Sequence, residues 1–178
     1  MNPLDLKKLR QEYTKSGINE SDILKNPFDF FAKWLNEAIN AGVIEPNAMM
    51  LSTADQNATP SSRVVLLKEL TQTGFVFYTN YKSKKAKQIS SNPNVALNFF
   101  WQELERQVRI EGFAEKVSIE ESDAYFNSRP LESKISAVIS NQSKYIPNRE
   151  YINELWENYY NSNSQGVINR PDYWGGYI

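Results

Sequence analysis

From Ala48 onward the chain breaks into short runs of β-branched, aromatic and aliphatic residues, each soon closed by turn residues. Met49–Thr53 and Ser62–Leu67 flank the turn-rich Asp55-Gln56-Asn57-Ala58 and predict a hairpin. Gly74 introduces a third run at Phe75–Thr79, and Val95–Trp101 and Gln107–Val117 supply a fourth and a fifth. Five such strands in a meander, with helices only around them, predict an α+β fold. It is mainly β: an antiparallel barrel decorated by helices, not a parallel sheet.

The helices announce themselves by caps and apolar spacing. Leu6, Leu9 and Tyr13 have helical spacing and stop at Gly17. Asn26 is an N-cap with Pro27 in the first helical position; Phe28, Phe31, Leu35, Ala38 and Ile39 share one face, and Gly42 closes the helix. A short helix is expected from Lys84 to Ser90, ended by Asn92-Pro93. Ser118 with Glu121 makes a capping box for a helix through Tyr125. Pro130 suits the first turn of the next helix, where Leu131, Ile135 and Val138 align. Tyr151, Ile152, Leu155, Trp156 and Tyr159 mark the last helix.

A chain of 178 residues with 40% hydrophobic residues fits one domain, which buries roughly 70% of its unfolded surface. No repeat or linker divides it. Residues 1–44 hold the first helices, 45–117 the strands, and 118–160 the later helices. Residues 170–178 read as the start of a further strand that is cut short, the expectation for a shortened chain or a truncated gene. The net charge of −1 argues against general nucleic-acid affinity, so any basic site must be local. With no run of ~20 apolar residues and no charged-then-apolar leader, the expectation is no membrane segment and no export. The absence of cysteine fits the cytoplasm. The absence of histidine as well excludes a His- or thiolate-ligated zinc site, a Ser-His-Asp triad and a cysteine nucleophile within this sequence. No metal site is expected. None of the seven glycines forms a G-x-G pair, so neither a dinucleotide fingerprint nor a P-loop is present. Redox or group-transfer chemistry would need an organic cofactor held by side chains.

Local basic groups are concentrated in one region. Arg63-Val64-Val65-Leu66-Leu67-Lys68 is an apolar strand with a cation at each end; Phe77-Tyr78-Thr79-Asn80 follows, then Lys82-Ser83-Lys84-Lys85-Ala86-Lys87. Taken singly, these are strand-end charges and a solvated helix face. Grouped around short strands, cations and hydroxyls suit a phosphorylated ligand, because a doubly charged phosphate needs several donors at once.

Nine segments taken in order resemble the pyridoxine (pyridoxamine) 5′-phosphate oxidase family. They are RQEYTKSG at 10–17, EPNAMMLST at 45–53, SSRVVLLKEL at 61–70, FVFYTNYKSKKAKQI at 75–89 and NPNVALNFFW at 92–101. LERQVRIEG at 104–112, YFNSRPLESKI at 125–135, SNQSKYI at 140–146 and RPDYWGGY at 170–177 complete the set. The resemblance implies a split β-barrel that forms a homodimer, with FMN in a cleft between the subunits. It assigns the flavin to Arg63, Val64, Val65, Leu66, Leu67, Lys68, Tyr78, Thr79, Lys84, Lys85, Gln107, Gln142, Ser143 and Trp174. It assigns the substrate, pyridoxamine or pyridoxine 5′-phosphate, to Lys68, Tyr125, Arg129 and Ser133, with Arg10 and Tyr13 on a segment that folds over it.

The activity implied is FMN-dependent oxidation by O2 to pyridoxal 5′-phosphate and hydrogen peroxide. No side chain is assigned as catalytic, since the flavin carries the hydride chemistry. Two departures stand out. Lys84 replaces an arginine frequent in the family, which keeps the charge and loses the planar fork. The Arg-Leu-His-Asp-Arg motif that follows WGGY in the family is absent. That absence leaves an alternative open: a split-barrel protein that binds FMN or pyridoxal phosphate without turnover.

Overall fold

The computed structural model describes residues 9, 12–15, 17–163 and 166–178. Leu6 and Arg10, named above, lie outside them. Where the first expected helix is described around Tyr13, the chain is irregular instead; a short helical turn at Glu20–Asp22 follows it.

Among the described residues five α-helices form around seven strands. Helix α1 (Pro27–Asn40) starts where the sequence places it: the Asn26 side chain accepts from the Phe28 N–H at 2.9 Å, with Pro27 in the first turn. Such a cap contributes about 1 kcal/mol. Helix α2 (Lys84–Ser91) is capped by Ser83. Helix α3 (Ile119–Ser128) opens with the reciprocal Ser118–Glu121 box. Helices α4 (Leu131–Ile139) and α5 (Arg149–Asn163) complete the set. Among the described residues no helix is long and apolar enough to cross a membrane.

The strands are β1 (Ala48–Ala54), β2 (Pro60–Leu66), β3 (Glu69–Leu70), β4 (Phe75–Asn80), β5 (Asn94–Trp101), β6 (Arg106–Phe113) and β7 (Trp174–Tyr177). All pairings are antiparallel, and the β1–β2 hairpin pairs Leu51 with Arg63 and Met50 with Val64. The order is not the expected meander. One sheet runs β2-β1-β5-β6 and the other β3-β4-β7. Strand β1 takes β5 as its second neighbour because Leu51 and Leu97 meet on one face in that register; both are buried there.

The two sheets are stitched past the end of β6. Glu115 and Ile178 exchange both backbone hydrogen bonds, and the Val117 N–H donates to the Gly176 carbonyl. The two glycines of β7 permit this approach. A Cβ on Gly176 would lie 2.7 Å from Val117, and one on Gly175 would lie 2.3 Å from the Tyr81 hydroxyl.

Two apolar clusters result. The larger, between the sheets and α1, sets the Phe31 ring against Phe75, Phe99 and Trp101; burying a side chain such as Phe31 contributes about 1.5–3 kcal/mol. The smaller joins Phe126, Ile135, Ile168 and Trp174. Strand β4 is shared: Phe77 belongs to the first cluster, and Tyr78 packs on the second.

Candidate functional site

In β2 and β1, directly opposed residues face the same side, so Arg63 projects inward with Leu51. There its Nη1 donates to the Thr53 hydroxyl at 2.7 Å and to the Leu51 carbonyl at 3.2 Å. Thr53 in turn donates to the Gln88 amide oxygen at 2.7 Å. Lys85 approaches from α2. Only 8% of it is exposed, and its Nζ donates to Thr79 Oγ1 at 3.1 Å and to Gln142 Oε1 at 2.8 Å.

Among the described residues neither Arg63 nor Lys85 pairs with a carboxylate. Burial, reinforced by the Arg63 charge, pushes the Lys85 ammonium down to about 8, and burial also lowers Arg63. Two partly desolvated cations, Arg63 held by Thr53 and the Leu51 carbonyl and Lys85 by Thr79 and Gln142, have only neutral partners and leave an electrostatic demand that an anion satisfies.

A third cation lies on the other side of β4, where successive side chains alternate. Tyr78 stacks on Tyr125 with ring centroids 3.8 Å apart and lies nearly parallel to Trp174 at 5.6 Å. The Arg129 guanidinium sits 4.5 Å from the Trp174 ring, and its Nη1 is buried with no hydrogen-bond partner among the described residues. Burial lowers the Arg129 pKa, and Tyr125 partly opposes the shift. Burial first, then nearby acidic groups, pushes the Tyr78 phenol up to about 12, so Tyr78 is neutral. An orphaned guanidinium nitrogen costs about 1–3 kcal/mol unless a ligand meets it.

The remaining residues distribute unevenly. Arg129 caps the C-terminus of α3 and Ser133 lies in α4, so Pro130 does separate two helices. Leu67 and Lys68 follow the end of β2, and Lys68 is exposed. Lys84 is exposed, whereas Lys85 beside it is buried; the solvated-face reading holds for one lysine and fails for the next. Ser143 is exposed in a left-handed conformation, φ 65°.

Val65 and Leu66 are partly buried in β2, while Val64 is 61% exposed on the outer face of the sheet. Gln107 is also on that outer face: it is paired with the exposed Phe100 and donates to Asn98 Oδ1 at 2.8 Å. Within one chain, therefore, Gln107 and Arg63 lie on opposite faces of one sheet. Tyr13 is 81% exposed and lines a cavity with Gln107, Trp34 and Glu105.

Two polar residues escape a reading for charge: Thr53, which accepts from Arg63, and Gln88, which accepts from Thr53. Thr53 follows Met49 and Leu51 on the inward face of β1, and Gln88 is buried one turn after Lys85. A hydroxyl on an otherwise apolar strand face is the signal that points to Thr53.

Fold and site together define an α+β protein whose antiparallel sheets are bordered by one buried and two half-buried cations that have no carboxylate partner among the described residues. Residues 35–154 match the family described as Pyridoxamine 5′-phosphate oxidase, and the chain belongs to that family. It is 50% identical over 174 residues to the pyridoxine/pyridoxamine 5′-phosphate oxidase of Cytophaga hutchinsonii, covering 97% of this chain and 81% of that protein. The oxidase of a Nostoc species is 46% identical over 168 residues, 94% of this chain and 78% of that one. Among solved structures, PhzG from Burkholderia lata 383, in complex with tetrahydrophenazine-1-carboxylic acid, superposes with a TM-score of 0.86. It has 24% identity over 92% of this chain and 81% of that one, and shows the shared fold. An FMN-binding protein from Nostoc punctiforme related to pyridoxamine 5′-phosphate oxidase gives a TM-score of 0.66 at 15% identity, over 87% and 81% of the two chains.

Proposed function

We propose that this chain is an FMN-dependent oxidase of pyridoxamine or pyridoxine 5′-phosphate, using O2 and acting as a cytoplasmic homodimer. The observation that carries the reading is the pair of anion-seeking centres on the two sides of β4. One is Arg63 and Lys85 with Thr79 and Gln142. The other is the orphaned Arg129 beside Tyr125. FMN and the substrate each bring one phosphate, and each centre has the charge and donors for one.

The residues divide as follows. Arg63, Lys85 and Thr79 meet the flavin phosphate, with Lys84, Gln142 and Ser143 around it. Val64 to Lys68 and Tyr78 line the cofactor, and Trp174 backs it. Arg129, Tyr125, Ser133 and Lys68 meet the substrate phosphate, and Arg10 and Tyr13 close over it. When bound, FMN supplies hydride acceptance and reoxidation by O2. The chain's own part is to bind both phosphates, exclude water and hold the donor carbon against the cofactor. Such placement is worth about 7–11 kcal/mol in well-oriented systems.

Three features support the finer architecture. The chain reads as a single flavin-binding domain and a split barrel, because β7 is hydrogen-bonded to β4 on one side and to 115–117 on the other. The barrel stays open beside β6, at a groove of about 390 Å³ lined by Phe28, Phe75, Leu97, Ile110 and Phe113. The homodimer accounts for Gln107, which reaches a flavin only from the face opposite Arg63. The exposed Met50, Val64 and Phe100 give that face apolar contact area. Light scattering should report twice the chain mass; a monomer would leave Gln107 without a flavin and contradict the assignment.

The deciding experiment is anaerobic mixing of FMN-loaded protein with pyridoxamine 5′-phosphate. Bleaching of the visible flavin band that reverses on admitting air is expected. A yellow complex that persists would instead identify a binding protein without turnover.

A further inference from the structure

Helix α3 and strand β7 carry the two halves of the substrate side: Tyr125 and Arg129 on one, Trp174 on the other. Their apposition is held at the end remote from Arg129 by one residue outside every assigned group. The Arg170 Nε donates to Asp123 Oδ1 at 2.6 Å, and its Nη1 donates to the Trp174 carbonyl at 2.7 Å. The Arg170 side chain is 9% exposed and Asp123 is 49% exposed, so the bridge is sealed on the arginine side.

The spacing makes the bridge consequential. Asp123 and Phe126 are three apart on one side of α3, and Arg129, three residues further, is the C-cap of that helix. Phe126 meets the Trp174 ring edge-on at 5.2 Å, and Arg129 lies 4.5 Å from it. Trp174 is thus held at its backbone by Arg170 and at its ring by Phe126 and Arg129. The Gly176 N–H also donates to the buried Ser122 hydroxyl at 3.2 Å, and a Cβ on Gly175 would sit 2.8 Å from that oxygen. Helix and strand therefore have little freedom to slide while the Arg170 bridge is closed.

We propose that Arg170 is a positioning residue: bridging Asp123 and the Trp174 carbonyl, it fixes the Trp174 ring and the Arg129 guanidinium in one register. The substrate phosphate is thereby aligned with the flavin. The proposal rests on the reading that Arg129 meets that phosphate and Trp174 the flavin. A fork with two separate donors is required, which lysine lacks.

The test compares wild type, Arg170→Ala and Asp123→Asn as full-length chains. In both variants KM for pyridoxamine 5′-phosphate should rise at least about fivefold while kcat changes less than about twofold, the loss expected for a displaced charged contact. The affinity of FMN-free protein for pyridoxamine 5′-phosphate, read by tryptophan fluorescence, should fall in parallel. Methylguanidinium should restore it in Arg170→Ala. A folded Arg170→Ala protein with unchanged KM and affinity overturns the proposal, as does failure of methylguanidinium to restore them. If Arg170→Ala does not fold, Asp123→Asn carries the test, since its half-exposed carboxyl is replaced by an amide of the same shape; unchanged KM there overturns the proposal equally. Wild type that neither binds FMN nor is reduced by the substrate sinks the functional reading instead.

Discussion

Arg63→Ala is expected to weaken FMN binding by well over tenfold, and Lys85→Met by a comparable factor, measured by quenching of flavin fluorescence on titration. Each change removes one charge-assisted hydrogen bond, worth about 1.5–3 kcal/mol. The two differ in what they do to the FMN-free protein. Lys85 is a buried ammonium facing a second cation and no carboxylate among the described residues. Lys85→Met should therefore raise the melting temperature of the FMN-free chain while lowering its cofactor affinity. Affinity unchanged by either substitution would mean that the phosphate is held elsewhere.

The same lysine gives the binding a pH dependence of defined sign. Its ammonium titrates at about 8 in the FMN-free chain, below the ordinary 10.5. Phosphate favours the charged form, so the complex holds the proton to higher pH. FMN affinity should be flat below about 8 and fall as pH rises above it, by up to about tenfold per pH unit. The FMN-free protein should show the opposite trend. Its folded pKa is depressed, so between about 8 and 10.5 the unfolded chain binds more protons, and the Lys85 contribution to stability improves as pH rises through that window. In Lys85→Met both trends should vanish.

Arg129→Ala should raise KM for pyridoxamine 5′-phosphate by about ten- to a hundredfold, the loss of a charged donor pair to phosphate, with a much smaller change in kcat. Steady-state kinetics against pyridoxamine lacking the phosphate supplies the control, because that poorer substrate should be indifferent to the substitution. Arg129→Lys should recover little: an ammonium lacks the planar guanidinium that lies over the Trp174 ring and leaves Nη1 available to an anion. Equal losses with and without the phosphate would assign Arg129 to packing alone.

Locally coded features of the fold were legible. Asn26-Pro27, Ser118 with Glu121, and the alternation along 49–53 and 62–67 depend on neighbours within a few residues, and each element forms where those signals stand. The two-residue β3 was not, because Glu69-Leu70 is a strand only by pairing with Phe75 and Val76. The meander failed for the same reason. Nothing within β1 says that its second partner is β5, more than forty residues on, rather than the nearer β4.

The site divides along the same line. Residue types and order along the chain raised the expectation of a phosphorylated ligand around Arg63–Lys68, Thr79 and the lysines of 82–87, and the family resemblance followed from nine segments without coordinates. Three matters were decided only in three dimensions. Lys85 turns inward while Lys84 meets solvent, since a helix rotates about 100° between neighbours and only the docked orientation of α2 selects which is buried. Arg63 and Gln107 fall on opposite faces because the registers across this non-locally ordered sheet put Arg63 in line with Leu51, Leu97 and Ile110, and Gln107 in line with Phe100. The tie of Arg170 to Asp123 spans 47 residues. Caps and alternation are short-range and can be read directly; burial, facing and counter-ions depend on which distant segments meet, and that is fixed by the packing of the whole chain.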